Sequence, residues 1–343
     1  MSQTNTTYRV YGYRWLVLAL YGLATVVIQL MWTTFFSITT EAWQFYGFSD
    51  AQTGENAISM LSVIFMDGMI VLSVPTMAIF EKAGFKKSVG FGVVLTGICA
   101  MVRGIWGSSF TAVLIATVGF AVAQPFILNA PGLVAGKWFP ENERATANSV
   151  GMLCNYVGMC VGLLLTPLLL QAGHDVRGML IIYGVIGAIT AVLFVIFVKE
   201  QPPTPPCAPE LAERESFGAG MKSVMKKRGF VLTLVTFFFL LGVFNIFFTM
   251  IEPILKTCSG GAVDATQVGV AGVVILVAGI VGSLVISMLS DKDARRRRLP
   301  YAIGANLVGV VGLALFIFAK GFPLILAAAV LYGGFTVGSA PLL

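Results

Sequence analysis

Residues Ala121–Pro167 read AVAQPFILNAPGLVAGKWFPENERATANSVGMLCNYVGMCVGLLLTP, two long apolar arms joined by the short charged connection Lys137–Arg144. Each arm is long enough to cross a bilayer, whose apolar core of about 30 Å requires roughly 20 helical residues. Polar residues and prolines interrupt both arms, at Gln124, Pro125, Asn129, Pro131, Asn148, Asn155 and Tyr156. Because lipid does not tolerate so many polar groups, they should face other helices or a water-filled cavity. The stretch therefore predicts a helical hairpin that lines a polar path through a membrane protein.

The composition indicates a polytopic membrane protein. The chain has 343 residues, of which 57% are hydrophobic and 11% charged, whereas soluble domains carry about 25% charged residues. No P-loop, HExxH motif or nucleophile elbow occurs, so we expect no enzyme and no cofactor. The only histidine, His174, lies in a predicted loop, and the five cysteines form no CxxC pair, so no metal site is expected.

Ten apolar spans are predicted, at residues 13–38, 56–80, 87–106, 109–136, 145–171, 178–198, 229–254, 265–290, 299–319 and 321–343. With a cytoplasmic N-terminus, 18 of the 22 Lys and Arg residues fall on the cytoplasmic side; the exceptions are Arg103, Arg177, Lys256 and Lys320. This bias orients the chain and accounts for its net charge of +6 without a nucleic-acid partner. The predicted location is the plasma (inner) membrane, with several passes.

A linker divides the chain. The segment Gln201–Pro206 contains four prolines, which favour an extended conformation. We therefore predict a six-helix domain at residues 1–198, a cytoplasmic linker at 199–228, and a second domain at 229–343 with four helices. The basic run Lys222–Arg228 suits the surface of the inner leaflet.

A weak repeat supports this division. Glu81–Lys82 follows the second span and Asp291–Lys292 follows the eighth, and a basic cluster comes after each pair. Both loops are similar to the motif G-x-x-x-D-[RK]-x-G-[RK]-[RK] of the major facilitator superfamily, although Glu81 replaces the Asp, and Met77 and Ser287 replace the first Gly. Within that superfamily the chain resembles the feline leukaemia virus subgroup C receptor-related (FLVCR-like) transporters. The resemblance rests on Arg14-Trp15 with Trp32, Val122–Leu128, Val134–Thr146, Asn155–Pro167 and Val277–Ser283.

The resemblance implies an all-α major facilitator fold of two six-helix halves, with a solute bound between them and alternating access. Ten of twelve helices would be present, so we expect a fragment; a shortened homologue is the alternative. The implied function is transport of a small polar organic solute, such as a choline-like amine or zwitterion, by a monomer in the bilayer. One alternative is a proton-coupled exporter of an organic anion or metal chelate, and another is a receptor or scaffold that does not transport.

Five residues form the predicted binding site. From the residues alone, Trp32 is an interface tryptophan and Gln124 an interhelical hydrogen-bonding group. The resemblance instead implies that Trp32 forms one wall of an aromatic cage around a quaternary amine, and that Gln124 binds the solute. Asn155 is expected to face the cavity, and Phe244 and Asn245 to supply its far edge. The family tends to have tyrosine where Asn245 stands, so Phe244 or Phe248 would replace that wall.

Charged residues supply two further predictions. Asp67 is an acid deep in the second span, either paired with Arg103 or serving as a proton-coupling site. The second prediction is a set of residues that hold the cytoplasmic side closed; it comprises Glu81, Lys82, Arg144, Asp291 and Lys292.

Overall fold

A computed structural model describes residues 9–207, 223–291 and 298–339, and all regular structure in these ranges is helical. The all-α prediction is therefore confirmed. The helices are α1 Tyr13–Thr33, α2 Thr39–Phe45, α3 Ala51–Ile105, α4 Phe110–Leu128, α5 Pro131–Trp138, α6 Glu141–Gln171, α7 Val176–Phe197, α8 Arg228–Thr249, α9 Ile251–Ser259, α10 Ala265–Asp291, α11 Arg298–Phe318, α12 Phe322–Leu331 and the π-helix Tyr332–Val337.

Within the described ranges, eight helices are long and apolar enough to cross a membrane. The longest, α3, contains 55 residues and is broken at Gly84, where φ is 76° and ψ is −173°. Its two arms contain the second and third predicted spans. The apolar helix Phe322–Val337 is shorter than the eight. Multiple membrane passes are thus supported, whereas the count of ten spans remains a prediction.

The described residues form two compact units. The first contains residues 9–32, 60–162 and 173–207, and the second contains 33–59, 163–172, 223–291 and 298–339. The units follow contacts rather than chain order, since two short early segments group with the residues after 223. The domain limits proposed from the linker remain a prediction.

Glycines allow close helix packing in the first unit. A Cβ atom on Gly158 of α6 would lie 2.5 Å from the carbonyl oxygen of Val26 on α1. The second arm of α3 packs in the same way on α7, where a Cβ on Gly104 would lie 2.9 Å from the Leu180 carbonyl oxygen. Helices in lipid gain little from apolar contact with one another, so small residues that admit a neighbouring backbone favour their association.

The second unit packs around an aromatic cluster. Phe247 of α8 lies 5.2 Å from Phe316 of α11 and 5.0 Å from Tyr332 of the π-helix, measured between ring centroids. The π-helix also lies close to α10, since a Cβ on Gly279 would be 2.7 Å from the side chain of Val337. The aromatic side chains and the glycines together hold α8, α10, α11 and the C-terminal helical segment in contact.

Candidate solute site

Helices α1, α4 and α6 of the first unit meet around Tyr21. This residue is buried on α1, and its hydroxyl donates a hydrogen bond of 2.8 Å to the carbonyl oxygen of Ile127 on α4. Its ring also faces α6, because a Cβ on Gly151 would lie 3.2 Å from the ring atom Cε1. Tyr21 therefore marks the level along α1 at which this helix contacts both α4 and α6.

Two amide side chains lie near this height. Gln124 is one helical turn before Ile127 on α4 and is 2% exposed. Asn155 follows Cys154, whose sulfur packs against Gly22 of α1, and is half-buried on α6. Among the described residues, neither Oε1 of Gln124 nor Oδ1 of Asn155 accepts a hydrogen bond, although both atoms are buried. A buried acceptor without a donor costs about 1–3 kcal/mol, so both oxygens can gain from a donor on a solute.

Trp32 lies on the same helix as Tyr21. It is six residues beyond Val26, which places it about 9 Å further along α1. Its side chain is 6% exposed, whereas Trp15 is 46% exposed and Trp106 is 57% exposed. The burial of Trp32 differs from the exposure that an interface tryptophan would have, and its role in a solute cage remains a prediction.

Phe244 and Asn245 belong to α8 in the second unit. The side-chain amide of Asn245 donates to the carbonyl oxygen of Leu241, one turn earlier, at 2.8 Å. Phe244 is half-buried and its ring centroid lies 4.6 Å from that of Phe248, which is fully buried. Of these two phenylalanines, Phe244 therefore has the accessible ring.

The structure does not bring Asp67 and Arg103 together as an ion pair within the described residues. Asp67 is exposed on the first arm of α3. Arg103 is buried, donates to the Met31 carbonyl oxygen at 3.1 Å, and lies over the ring of Phe120 at 5.7 Å. A carbonyl oxygen and an aromatic face thus contact the buried guanidinium, and Asp67 is not among its described ion-pair partners.

The predicted gating residues are described only in part. Glu81 and Lys82 are exposed on α3. Arg144 donates to the sulfur of Cys207 at 3.2 Å. Lys292 and the side chain of Asp291 lie outside the described part of the chain, so a closing role for this set remains a prediction.

A carboxylate that the sequence analysis did not select organises the same region. Glu200 accepts hydrogen bonds from the backbone N–H groups of Phe85, at 2.9 Å, and Lys86, at 2.5 Å, and it pairs with Lys137. Burial alone would raise the pKa of Glu200, but the bonds from Lys137 and the two backbone groups hold that pKa below its ordinary value. The only sequence signal was that Glu200 lies directly after a predicted span. Its bonds to Phe85 and Lys86 are tertiary contacts, which the sequence does not show.

The sequence analysis also missed a second charged group. Glu252 on α9 is completely buried, and Lys256 and Glu41 lie close to it. Its position at the end of a predicted span concealed it, because span ends usually reach the aqueous phase.

An apolar groove of about 510 Å³ runs between α3 and α7. Every side chain that lines it is apolar, and none of the predicted site residues is among them. A polar solute would gain no hydrogen bond there, so the groove suits contact with lipid chains. The polar groups around Tyr21 are the better candidate for a solute site.

A sequence profile of the Major Facilitator Superfamily matches residues 11–343. The chain belongs to the major facilitator superfamily. This membership confirms the resemblance seen in the loop motifs, and it supports the prediction that the chain is not an enzyme.

Relatives within the superfamily include FLVCR proteins. The choline/ethanolamine transporter flvcr2a of Danio rerio is 26% identical over 361 residues, covering 100% of this chain and 74% of that protein. Solute carrier family 49 member A3 of Danio rerio is 28% identical over 304 residues, covering 86% and 62%. The human choline/ethanolamine transporter FLVCR2 is 25% identical over 326 residues, covering 89% and 59%. The chain thus spans about three fifths to three quarters of the length of these relatives.

Solved structures show the same superfamily fold. A bacterial homologue of the human lysosomal transporter Spinster superposes with a TM-score of 0.74 at 16% identity, covering 97% of this chain and 75% of that one. At this identity the likeness concerns the fold alone.

Proposed function

We propose that this superfamily member transports a small organic cation of the choline or ethanolamine type across the bilayer. The observation that carries the proposal is the pair of buried amide oxygens, on Gln124 and Asn155, that accept no hydrogen bond within the described residues. They lie on helices that pack against the one bearing the buried Trp32. Two of the relatives above, which are named choline/ethanolamine transporters, support this class of solute.

The chemistry of such a solute suits these groups. A quaternary ammonium cannot donate a hydrogen bond, but the face of a tryptophan attracts it by about 0.5–2 kcal/mol. The hydroxyl of choline has one proton to donate, and the ammonium of ethanolamine has three. Neutral amide oxygens can accept these protons without holding the cation as strongly as a carboxylate would, so the solute can also be released.

The proposal includes alternating access between two halves, with Phe244 and Asn245 supplying the second wall of the site. The half-buried ring of Phe244 would take the place of the tyrosine that the family tends to have at the position of Asn245. We also propose that the protein acts as a monomer in the plasma membrane and that its N-terminus lies in the cytoplasm. The superfamily membership and the strong bias of Lys and Arg support these features.

Calorimetric titration of the purified chain with choline chloride tests the proposal. Trp32→Ala should raise Kd by about 5- to 30-fold, because about 1–2 kcal/mol of cation–ring attraction is lost. Trp32→Phe should lose less, since a weaker ring face remains. The matched control is Trp106→Ala, which removes an exposed tryptophan and should leave Kd unchanged. Equal Kd values for wild type and Trp32→Ala would contradict the cation site.

Reconstitution separates a carrier from a receptor or scaffold. In proteoliposomes a carrier gives choline uptake that saturates with concentration and accelerates when unlabelled choline is inside. A receptor or scaffold binds without flux, so binding without saturable uptake would contradict transport by this chain while leaving the binding site standing.

Proton-coupled export of an organic anion or chelate is a second candidate, favoured by the exposed carboxylate of Asp67 within a membrane helix. In that case Asp67→Asn should abolish pH-driven transport and retain exchange of solute for solute. Normal pH-driven transport by this variant would exclude Asp67 as the coupling group.

A further inference from the structure

Two short helices of the second unit, α2 and α9, are joined by charged side chains although they are about two hundred residues apart in sequence. Glu252 of α9 is 0% exposed, and its Oε2 accepts a hydrogen bond of 2.8 Å from the backbone N–H of Thr40. The Nζ atom of Lys256 lies 2.5 Å from Oε1 of Glu252 and 3.6 Å from Oε1 of Glu41 on α2. A single ammonium therefore contacts two carboxylates.

The charges in this cluster do not balance. Glu55, on the first arm of α3, is a third acid, which is close enough to feel the charges of Glu252 and Lys256. Lys256 can neutralise only one of the three carboxylates, and a buried carboxylate without a full partner is costly. The Oε2 atom of Glu41 is buried and accepts no hydrogen bond among the described residues. Addition of one proton to Glu41 would remove the excess charge closest to the ion pair.

We propose that Glu41, Glu252 and Lys256 form a pH-sensitive latch, in which a proton on Glu41 keeps α2 docked on α9 and loss of that proton releases α2. The ion pair between Glu252 and Lys256 persists in both states and forms the fixed side of the latch. The latch lies on the predicted outer side, and it does not depend on which solute is carried.

The electrostatics give the direction of the pH effect. Burial, and next the charge of Glu252, raise the pKa of Glu41 above its ordinary value of 4.5. A raised carboxyl pKa means that the docked state binds the proton more tightly than the released state does. Docking is therefore strongest below the ordinary value and weakens as the pH rises through the raised pKa.

Lys256 does not contribute to this pH window. Burial alone would lower the pKa of Lys256, but the hydrogen bond and charge of Glu252, followed by Glu41, raise that pKa above its ordinary value of 10.5. The ammonium therefore stays charged at neutral pH, and its stabilising contribution is lost only at more alkaline pH.

Cysteine labelling of the full chain tests the latch. Ala42 of α2 is 0% exposed, so a maleimide should label Ala42→Cys slowly while α2 is docked. The exposed Ala51→Cys serves as reference, and the ratio of the two rates removes the pH dependence that the two thiols share. Between pH 5 and pH 8 this ratio should rise, by about threefold for a pKa shift of one unit, because the rest of the tenfold change that such a shift gives falls below pH 5. A ratio that stays constant with pH would overturn the proposal.

Substitutions identify the titrating group. Glu41→Gln should give slow labelling at every pH, because a neutral amide replaces the carboxylate. Asp50→Asn is the matched control, since this exposed acid caps Thr53 at 2.8 Å, and the variant should keep the wild-type pH profile. Wild-type pH dependence in Glu41→Gln would overturn the proposal.

Lys256→Gln provides an independent test of the ammonium that the two carboxylates share. Without the ammonium, the two carboxylates repel more strongly, so the midpoint of labelling should move to higher pH. An unchanged midpoint would contradict the shared ammonium. Choline transport is not measured in any of these arms, so a failed latch and a failed solute site remain distinguishable.

Discussion

At the scale of single residues, the two amides and the tryptophan of the first unit would contribute to the proposed solute site in different ways. Gln124 and Asn155 offer acceptor oxygens, and Trp32 offers a ring face. Solutes with different numbers of donors should therefore depend on them differently. Ethanolamine carries an ammonium with N–H groups, whereas the ammonium of choline is fully methylated, so the two solutes can separate the two contributions.

The first prediction concerns Gln124→Ala. We expect it to weaken ethanolamine binding by about 1.5–3 kcal/mol, the usual value of a hydrogen bond to a charged group, and to weaken choline binding less. Calorimetric Kd values for both solutes measure the difference. Gln44→Ala, at an exposed glutamine of α2, is the control and should change neither value. An equal loss for the two solutes would show that Gln124 does not accept a hydrogen bond from the ammonium of ethanolamine.

The second prediction concerns Gly84, which has a φ of 76° and a ψ of −173°. Residues other than glycine pay about 1–3 kcal/mol in this region, and a Cβ atom here would lie 2.5 Å from Oε1 of Glu200. Gly84→Ala should therefore lower Tm in detergent. Gly136→Ala, within α5 and with no atom within 4 Å of its Cβ position, should leave Tm unchanged or raise it. A Tm equal to wild type for Gly84→Ala would contradict the strained turn.

At the scale of helices, close packing of α1 and α6 underlies the proposed solute site. Gly158→Ala would place a methyl group 2.5 Å from the Val26 carbonyl oxygen and 2.7 Å from the Gln29 Cβ. The helices must then separate, at a cost of about 1–3 kcal/mol, and Asn155 moves with α6. We expect a lower Tm together with weaker choline binding.

The control for this third prediction is Gly242→Ala. Gly242 lies within α8 and has no atom within 4 Å of its Cβ position, so its substitution should leave both quantities intact. A fall in Tm for Gly158→Ala with unchanged choline affinity would separate the packing of the helices from the site.

The fourth prediction concerns Glu200, which joins the loop between the arms of α3 to Lys137 at the end of α5. Because the pKa of this carboxyl is lowered, its stabilising contribution is present above the ordinary value of 4.5 and is lost as the pH falls. Wild type should therefore exceed Glu200→Gln in Tm at pH 7, and the gap should be smaller at pH 4. Glu81→Gln, at an exposed acid, should match wild type at both values. A gap that does not change with pH would exclude a titrating contact.

At the scale of the whole molecule, alternating access requires contacts that close one side and then open. The motif places Asp291–Lys292 in the second half where Glu81–Lys82 stands in the first. Our fifth prediction is that Asp291→Asn favours the inward-open state, so that Asn148→Cys, near the predicted inner end of α6, reacts faster with a maleimide. Asp264→Asn, at an acid that caps Gln267 at 2.7 Å, is the control. Equal labelling rates would contradict the gating role.

The sequence by itself determined the helical membrane class and the superfamily. Apolar runs, interrupting prolines and the distribution of Lys and Arg are local properties, which remain readable whatever the helices later contact. The loop motifs and the polar residues of Ala121–Pro167 were sufficient to select Gln124 and Asn155 as candidates. The charged stretch Glu81–Lys87 placed a break between two spans, but it did not give the backbone angles that Gly84 adopts there.

Only the tertiary structure decided which side chains are buried and which charges meet. Trp15, Trp32 and Trp106 look alike in an apolar sequence, yet only Trp32 is buried. The contact of Glu41 with Lys256 and the bonds from Phe85 and Lys86 to Glu200 join residues more than a hundred positions apart. Periodicity describes one helix at a time, whereas the cost of burying a charge depends on what the neighbouring helices place beside it.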